Sequence, residues 1–480
     1  MTYRHRAVVG LLLLLLAHRQ ELAAQASRGA LARETFAIAD VSLISMAVDT
    51  VLSDATVLVR DGRIVATGPS RSVRIPRGAR RIDGRGKYLV PGFADMHAHL
   101  YSDDEVPDSV APYELGVMLA NGITITRLMM GTPEQLALRK EVESGRVLGP
   151  QLWLASPEFA GRRYGGAAFK GYAVSTPEEA RAAVREVKAA GYDFLKLTLF
   201  VTRPAYDALV DEARQAGIKI VGHVPPEVGV PHALASGQQI EHLDNYLEQV
   251  LADSAPMRVS VSDRGVFQPS NWLSLDFVDD AKVARIAGLT ARSGAFTSPT
   301  LTIFKNAFAI GQSEEAVRAR PDWKVMAPGI RAAYLAANTR YWANPPSEAR
   351  RNRWVEVRNR LTKLIADSGG KIMAGSDAPE WLFTYGWTLH RELESLVSAG
   401  LTPFQALRAA TRTPAEFLGA SAEWGTIETG KRADLVLLSG NPLQDIRNTL
   451  RIEGVSIGGR WLDRARLDEM IRVGGELVSR

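Results

Sequence analysis

Apolar residues are arranged along the chain in two ways. Near both ends they form short runs broken by turns. Phe36-Ala37-Ile38-Ala39 and Ala55-Thr56-Val57-Leu58-Val59-Arg60 read as strands, and Asp61-Gly62 marks a hairpin turn before Arg63-Ile64-Val65-Ala66-Thr67-Gly68. The same grammar returns at Gly430-Lys431-Arg432-Ala433-Asp434-Leu435-Val436-Leu437-Leu438 and at Val455-Ser456-Ile457-Gly458-Gly459-Arg460-Trp461. The simplest account is one small β-sandwich domain built from both chain ends, with residues 27–90 and 423–480 as its two parts.

Between these ends, strand-like runs alternate with helix-period stretches. The first run is Tyr88-Leu89-Val90-Pro91-Gly92-Phe93-Ala94-Asp95-Met96-His97-Ala98-His99, and the next are Ile123 to Leu128 and Gln151 to Ala155. Tyr192 to Leu199, Ile218 to His223, Gln239 to His242, Ala295 to Leu301 and Lys371 to Asp377 follow. Helical patterns separate them near 113–120, 133–144, 176–190, 204–216, 231–236, 279–292 and 351–368. Eight strands with intervening helices predict an α/β fold, a (β/α)8 TIM barrel spanning about 91–422. Two connections, 244–277 and 304–350, are long enough for lids or binding loops, and decoration or assembly fits them equally.

Composition narrows the class only slightly. The 480 residues are 46% hydrophobic and 23% charged, which is globular. Arg4, His5 and Arg6, the apolar run 7–17 and Ala24-Gln25-Ala26 read as a signal peptide over 1–26. Its apolar run is too short to span a bilayer. Without that segment, which carries Arg4, Arg6, Arg19 and Glu21, the net charge falls from +5 to +3. No basic stripe or phosphate loop suggests nucleic acid or a nucleotide. The chain contains no cysteine, so it has neither disulfides nor a thiol to lipidate. The expectation is an exported protein, periplasmic or extracellular, with no membrane anchor once the leader is removed.

Candidate chemistry gathers where barrel strands end. In a strand, residues two apart share a face, so His97 and His99 project together as half of a metal site. Alone, the pair fits a polar strand face as well. His223 and His242 end two further strands, Asp377 ends the last, and Lys196 interrupts an otherwise apolar one. The other histidines of the mature chain, His232 and His390, fall on helices and read as structural or exposed.

These residues resemble the amidohydrolase superfamily, in its prolidase-like and imidazolonepropionase-related branch. The resemblance rests on Leu89 to His99, Ile240-Glu241-His242 and Ala374-Gly375-Ser376-Asp377. Gly425-Thr426-Ile427, Gly430 to Leu435 and Asn441-Pro442-Leu443 extend it. It implies a metal-dependent hydrolase with two divalent metal ions. His97, His99 and Asp377 would bind one, and His223 and His242 the other. Lys196 would be a carbamate (N6-carboxylysine) bridging them, which suits a lysine whose apolar strand disfavours its charged form. Zinc matches these donors best, and manganese and cobalt remain open. Such a site cleaves an amide or peptide-like C–N bond with a metal-bridging hydroxide, and Asp377 moves the proton. Relatives commonly form homo-oligomers.

The resemblance weakens around the substrate. Relatives of the dipeptidase type often carry Gly-Gly-His-Gly after the third strand, where this chain has Ser156 to Gly166 without histidine. Arg162 and Arg163 could bind a substrate carboxylate, or could be a solvated pair. Tyr246 could line the pocket, or could pack in the core. The expected substrate is a dipeptide or an N-acyl amino acid. One alternative is a mononuclear deaminase or imidazolone-type ring hydrolase with Glu227 after His223. Another is a non-catalytic binding or assembly protein on the same barrel.

Overall fold

The computed structural model describes residues 34–100, 110–161, 170–198, 200–256, 269–304, 314–320, 346–379 and 384–478, with short pieces between 322 and 336. The leader, Arg162, Arg163 and parts of both long connections lie outside the described residues.

One sheet unites both ends of the chain. Its strands are β1 (Phe36–Leu43), β2 (Leu52–Arg60), β3 (Arg63–Pro69), β4 (Arg80–Asp83) and β5 (Tyr88–Pro91), joined by three strands from the far end. The β2–β3 hairpin turns on Asp61 and Gly62, whose φ values of 51° and 82° match the two positive angles of a type I′ turn. Alternate side chains such as Phe36, Ile38, Val57 and Val59 pack with Leu435, Leu437 and Trp461 in one apolar cluster.

The middle of the chain makes parallel strands: β6 (Phe93–Ala98), β7 (Ile123–Leu128), β8 (Gln151–Ala160), β9 (Tyr172–Ala173), β10 (Phe194–Leu197) and β11 (Lys219–Gly222). Then come β12 (Ile240–Glu241), β13 (Phe296–Ser298) and β14 (Lys371–Ile372). Apart from β9, which pairs with β8, they form one sheet in the order β11-β10-β8-β7-β6 and another in the order β12-β13-β14. Gln239 N–H donates to Ile220 O at 3.0 Å between β11 and β12. Met96 N–H donates to Ala374 O at 3.0 Å, linking β6 to the residues after β14. Ala94, Met96, Ile125, Phe194, Val221 and Met373 share a cluster with Phe417 and Trp424, so these strands enclose common apolar ground.

Helices cover the strands for legible reasons. Thr176 and Glu179 form a reciprocal capping box at the start of helix Pro177–Ala190, and Gly191 ends it at φ 92°. The helix buries Ala180, Ala183, Val184 and Val187 along one stripe. Each valine contributes roughly 1.5–3 kcal/mol by burial, so Val184→Asp would break the helix from its sheet.

The chain closes with β15 (Leu435–Leu438), β16 (Ile452–Ile457) and β17 (Arg460–Asp463). β5 lies between β1 and β15: Val90 pairs with Val436, and Leu89 pairs with both Leu43 and Leu437. Among the described residues no helix is long and apolar enough to cross a membrane.

Candidate metal centre

The site is assembled at the ends of β6, β10, β11, β12 and β14. His97 is fully buried in β6, with Nδ1 2.8 Å from Glu241 Oε2. Burial works against a charged Glu241, but Arg127, the His97 hydrogen bond and nearby Lys196 hold its carboxyl down to about 2. A carboxylate only accepts hydrogen bonds, so Nδ1 of His97 is the donor and the Nε2 lone pair is free. That Nε2 lies 3.2 Å from Asp377 Oδ1 and makes no hydrogen bond. Two acceptors facing each other in a buried space are the arrangement that a cation between them would satisfy.

The other ligand candidates converge on the same point. His99 Nε2 lies 3.1 Å from the same Asp377 oxygen. His242 stands 4.4 Å from His97, ring centroid to ring centroid, and its Nδ1 meets Thr300 Oγ1 at 2.8 Å. The Thr300 hydroxyl donates to Pro299 O at 2.9 Å, so it accepts from His242 and leaves Nε2 of that ring available. Burial, with His97 beside it, makes His242 hard to protonate. One ligand atom each from His97, His242 and Asp377 lies within 4.8 Å of the others. The donor set fits a divalent ion.

His223 follows β11 and is partly exposed. It stacks on His242 with ring centroids 5.0 Å apart, and Asp244 Oδ2 holds its Nδ1 at 2.5 Å. Lys196 lies in β10 with 1% of its surface exposed, close enough for its charge to act on Glu241 and His242. Among the described residues its Nζ has no hydrogen bond or ion pair. Gly222 makes room for it: a Cβ there would sit 3.0 Å from Lys196 Cδ and 2.5 Å from Leu197 O, at φ 111°.

Backbone strain concentrates here. His242, Leu243, Asn245, Thr300 and Asp377 all have φ between 45° and 60°, which costs a non-glycine residue about 1–3 kcal/mol. The angles are held by surrounding bonds. Asp377 N–H donates to His97 O at 2.7 Å and His242 N–H to Ser298 O at 2.9 Å. Asp95 accepts from Ser376 N at 3.0 Å and Ser376 Oγ at 2.6 Å, fastening β6 to the turn that carries Asp377.

Other candidates stand apart. Tyr246 is fully buried and its hydroxyl meets Thr290 Oγ1 at 2.8 Å, so it packs between helices and does not join this group. Glu227 is exposed in the turn after His223. His390 is buried, bonded to Thr449 and to the Asn121 carbonyl, and His232 pairs with Asp207. Glu241, Asp244, Thr300 and Arg127 are supporting residues that sequence reasoning did not single out.

Parallel strands that gather imidazoles and a carboxylate at one set of ends make this an α/β protein with a candidate metal centre. The chain belongs to the amidohydrolase family, whose model matches residues 88–462, and it is a hydrolase acting on carbon–nitrogen bonds. The imidazolonepropionase of Symbiobacterium thermophilum is 27% identical over 424 residues, covering 81% of this chain and 84% of that protein. Among solved structures, bottromycin amidohydrolase matches with a TM-score of 0.73 and 24% identity, over 94% of this chain and 92% of that one. A candidate prolidase from Bifidobacterium longum matches with a TM-score of 0.68 and 25% identity, over 92% and 99%.

Proposed function

We propose that this hydrolase cleaves an amide or peptide-like bond in a dipeptide or N-acyl amino acid, using two divalent ions, with zinc the best match to the donors. His97, His99 and Asp377 would hold one ion and His223 and His242 the other, with Lys196 between them as a carbamate. When bound, the ions supply Lewis acidity at the carbonyl oxygen and a more acidic water. Glu241, Thr300 and Asp244 each engage one ring nitrogen of His97, His242 and His223 and so fix which nitrogen faces inward. Asp377 Oδ2, the oxygen outside the two imidazole contacts, takes a proton from the attacking water and returns it to the leaving amine.

The observation that carries this reading is the convergence of His97, His242 and Asp377 within 4.8 Å. Lys196, buried beside them and without a hydrogen bond or ion pair among the described residues, favours two ions over one. The experiment is metal analysis of the purified protein, followed by turnover of N-acyl amino acids and dipeptides before and after chelation. Two ions per chain and activity restored by added metal are expected. Lys196→Ala should lose metal and activity, with partial rescue by short carboxylates. A mutant that kept both ions and full turnover would end the carbamate assignment.

The curated relatives favour a second reading, a mononuclear imidazolone-type ring hydrolase, because those that match over most of this chain bear the name imidazolonepropionase. A single ion per chain would select it. A barrel without turnover, serving only to bind, is the remaining alternative. We further read the two parallel sheets as one closed (β/α)8 barrel, supported by the bonds from Gln239 to Ile220 and from Met96 to Ala374. The paired chain ends are read as a β-sandwich, and export rests on residues 1–26.

A further inference from the structure

Helix Glu348–Asp367 carries five arginines in the stretch 350–360. Arg350, Arg353 and Arg360 form ion pairs at the surface, with Asp276, Glu356 and Asp280 respectively. Arg358 is different. It is 7% exposed, its Nε has no hydrogen bond, and among the described residues its guanidinium makes neither a hydrogen bond nor an ion pair. Arg127, also buried, shows the usual arrangement: it bonds Glu241 Oε1 and Met96 O, each at 2.6 Å. An ionised group shut away without a partner is costly, and it persists where something outside the chain completes it.

The position of Arg358 indicates what that is. Its guanidinium carbon stands 3.8 Å from the Phe304 ring centroid and 4.6 Å from that of Trp354. Contact with two aromatic rings restrains the planar fork and offsets part of its desolvation. Phe304, whose ring the guanidinium faces, follows Thr300 by four residues, and Thr300 bonds His242. Burial pushes the Arg358 pKa down to about 10, and the charge that opposes this is Asp244, already engaged with His223. The group remains a cation at neutral pH. A fixed, planar and unpaired guanidinium is the side chain that takes a carboxylate through two parallel hydrogen bonds.

We infer that Arg358 binds the free carboxylate of the substrate, and that the substrate class is therefore anionic, N-acyl amino acids or dipeptides with a free C-terminus in preference to their neutral amides. This rests on the reading of the site as a hydrolase of such bonds. Arg358 is a binding residue that selects the substrate.

The test compares acids with their carboxamides on the metal-loaded protein. N-Benzenesulfonyl derivatives of alanine, phenylalanine and proline resist hydrolysis and carry the same carboxylate, so they report binding without turnover. The unmodified protein should bind the acids at least tenfold more tightly than the carboxamides, and hydrolysed N-acetyl substrates should show the same ratio in KM. Arg358→Met should bring the ratio within threefold while metal content holds within twofold, and Arg358→Lys should restore part of it. Equal binding of acid and carboxamide by the unmodified protein overturns the inference, even if Arg358→Met cannot be purified. So does a folded Arg358→Met that keeps the preference. Arginine-dependent acid binding without any hydrolysis keeps the carboxylate site and removes the proposed reaction. Equal turnover of acids and amides does the reverse.

Discussion

His97 and Glu241 lie 144 positions apart in sequence, yet Nδ1 and Oε2 meet at 2.8 Å with both side chains closed to solvent. Glu241 is at the same time the counter-ion of Arg127, 2.6 Å away, whose guanidinium faces the rings of Phe194 and Phe417. A candidate ligand imidazole is thus braced through a carboxylate to a cation in the core. Glu241→Gln keeps the shape and removes the charge, and metal affinity should fall roughly 10–100-fold in chelator competition. Glu241→Ala leaves Arg127 buried and uncompensated, and should cost about 3–5 kcal/mol in denaturant unfolding of the metal-free protein. Adding Arg127→Met should recover part of that loss. If the single alanine variant unfolds at the parental midpoint, the ion pair has no structural weight.

Thr300 acts on His242 through one hydroxyl, 2.8 Å from Nδ1. Thr300→Ser should retain metal affinity within a few-fold, whereas Thr300→Val should lose about tenfold or more. Equal affinities in the two variants would show that the hydroxyl does not orient the ring.

Gly375, on the chain leaving β14, packs closely against His97. A Cβ there would lie 2.4 Å from Ser298 Oγ, 2.7 Å from His97 Cβ and 3.0 Å from His97 N. Rotating Ser298 relieves the first clash but not the other two, so Gly375→Ala should destabilise by about 1–3 kcal/mol. It should also weaken metal binding, because relief displaces His97. Unchanged calorimetric unfolding together with unchanged chelator resistance would contradict this.

His390 gives a pH dependence that does not involve the candidate ligands. Burial lowers its pKa from 6.5 to about 4, and its Nε2 donates to Asn121 O at 3.0 Å. Above pH 6.5 the ring is neutral folded and unfolded, and contributes no slope. Between 6.5 and about 4 the unfolded chain binds a proton that the folded one refuses, so stability falls on acidification, by on the order of 3 kcal/mol in all. Below about 4 both forms are protonated and that contribution is gone. His390→Gln should flatten unfolding free energy against pH across this window. An identical slope in the variant would assign the acid sensitivity elsewhere.

What could be read from the sequence, and what could not, follows from strand geometry. His97 and His99 announce themselves because residues two apart share a face, and their Nε2 atoms do meet one carboxylate oxygen. The same alternation hides Glu241. In a regular strand it and His242 would point to opposite faces, but the φ of 60° at His242 breaks the strand and brings both to the centre. Thr300 is hidden likewise by its own left-handed backbone at 45°. Arg127 sits in an apolar strand with nothing adjacent to reveal its partner, and Arg358 is lost among arginines that do face water. For Tyr246 the sequence left pocket and core equally open, and the short helix Tyr246–Val250 turns it toward Thr290.

The place of β5 between β1 and β15 has a consequence for how the protein is made. A ribosome completes Leu89 and Val90, and the histidine-bearing strand just beyond, some three hundred and forty residues before Val436 exists. At roughly 5–20 residues per second, that hydrogen-bonding edge waits on the order of half a minute for its neighbour. During synthesis it is open to wrong partners, and a chain cut short before Leu435 would lack this neighbour and its support for the strand that carries the imidazoles.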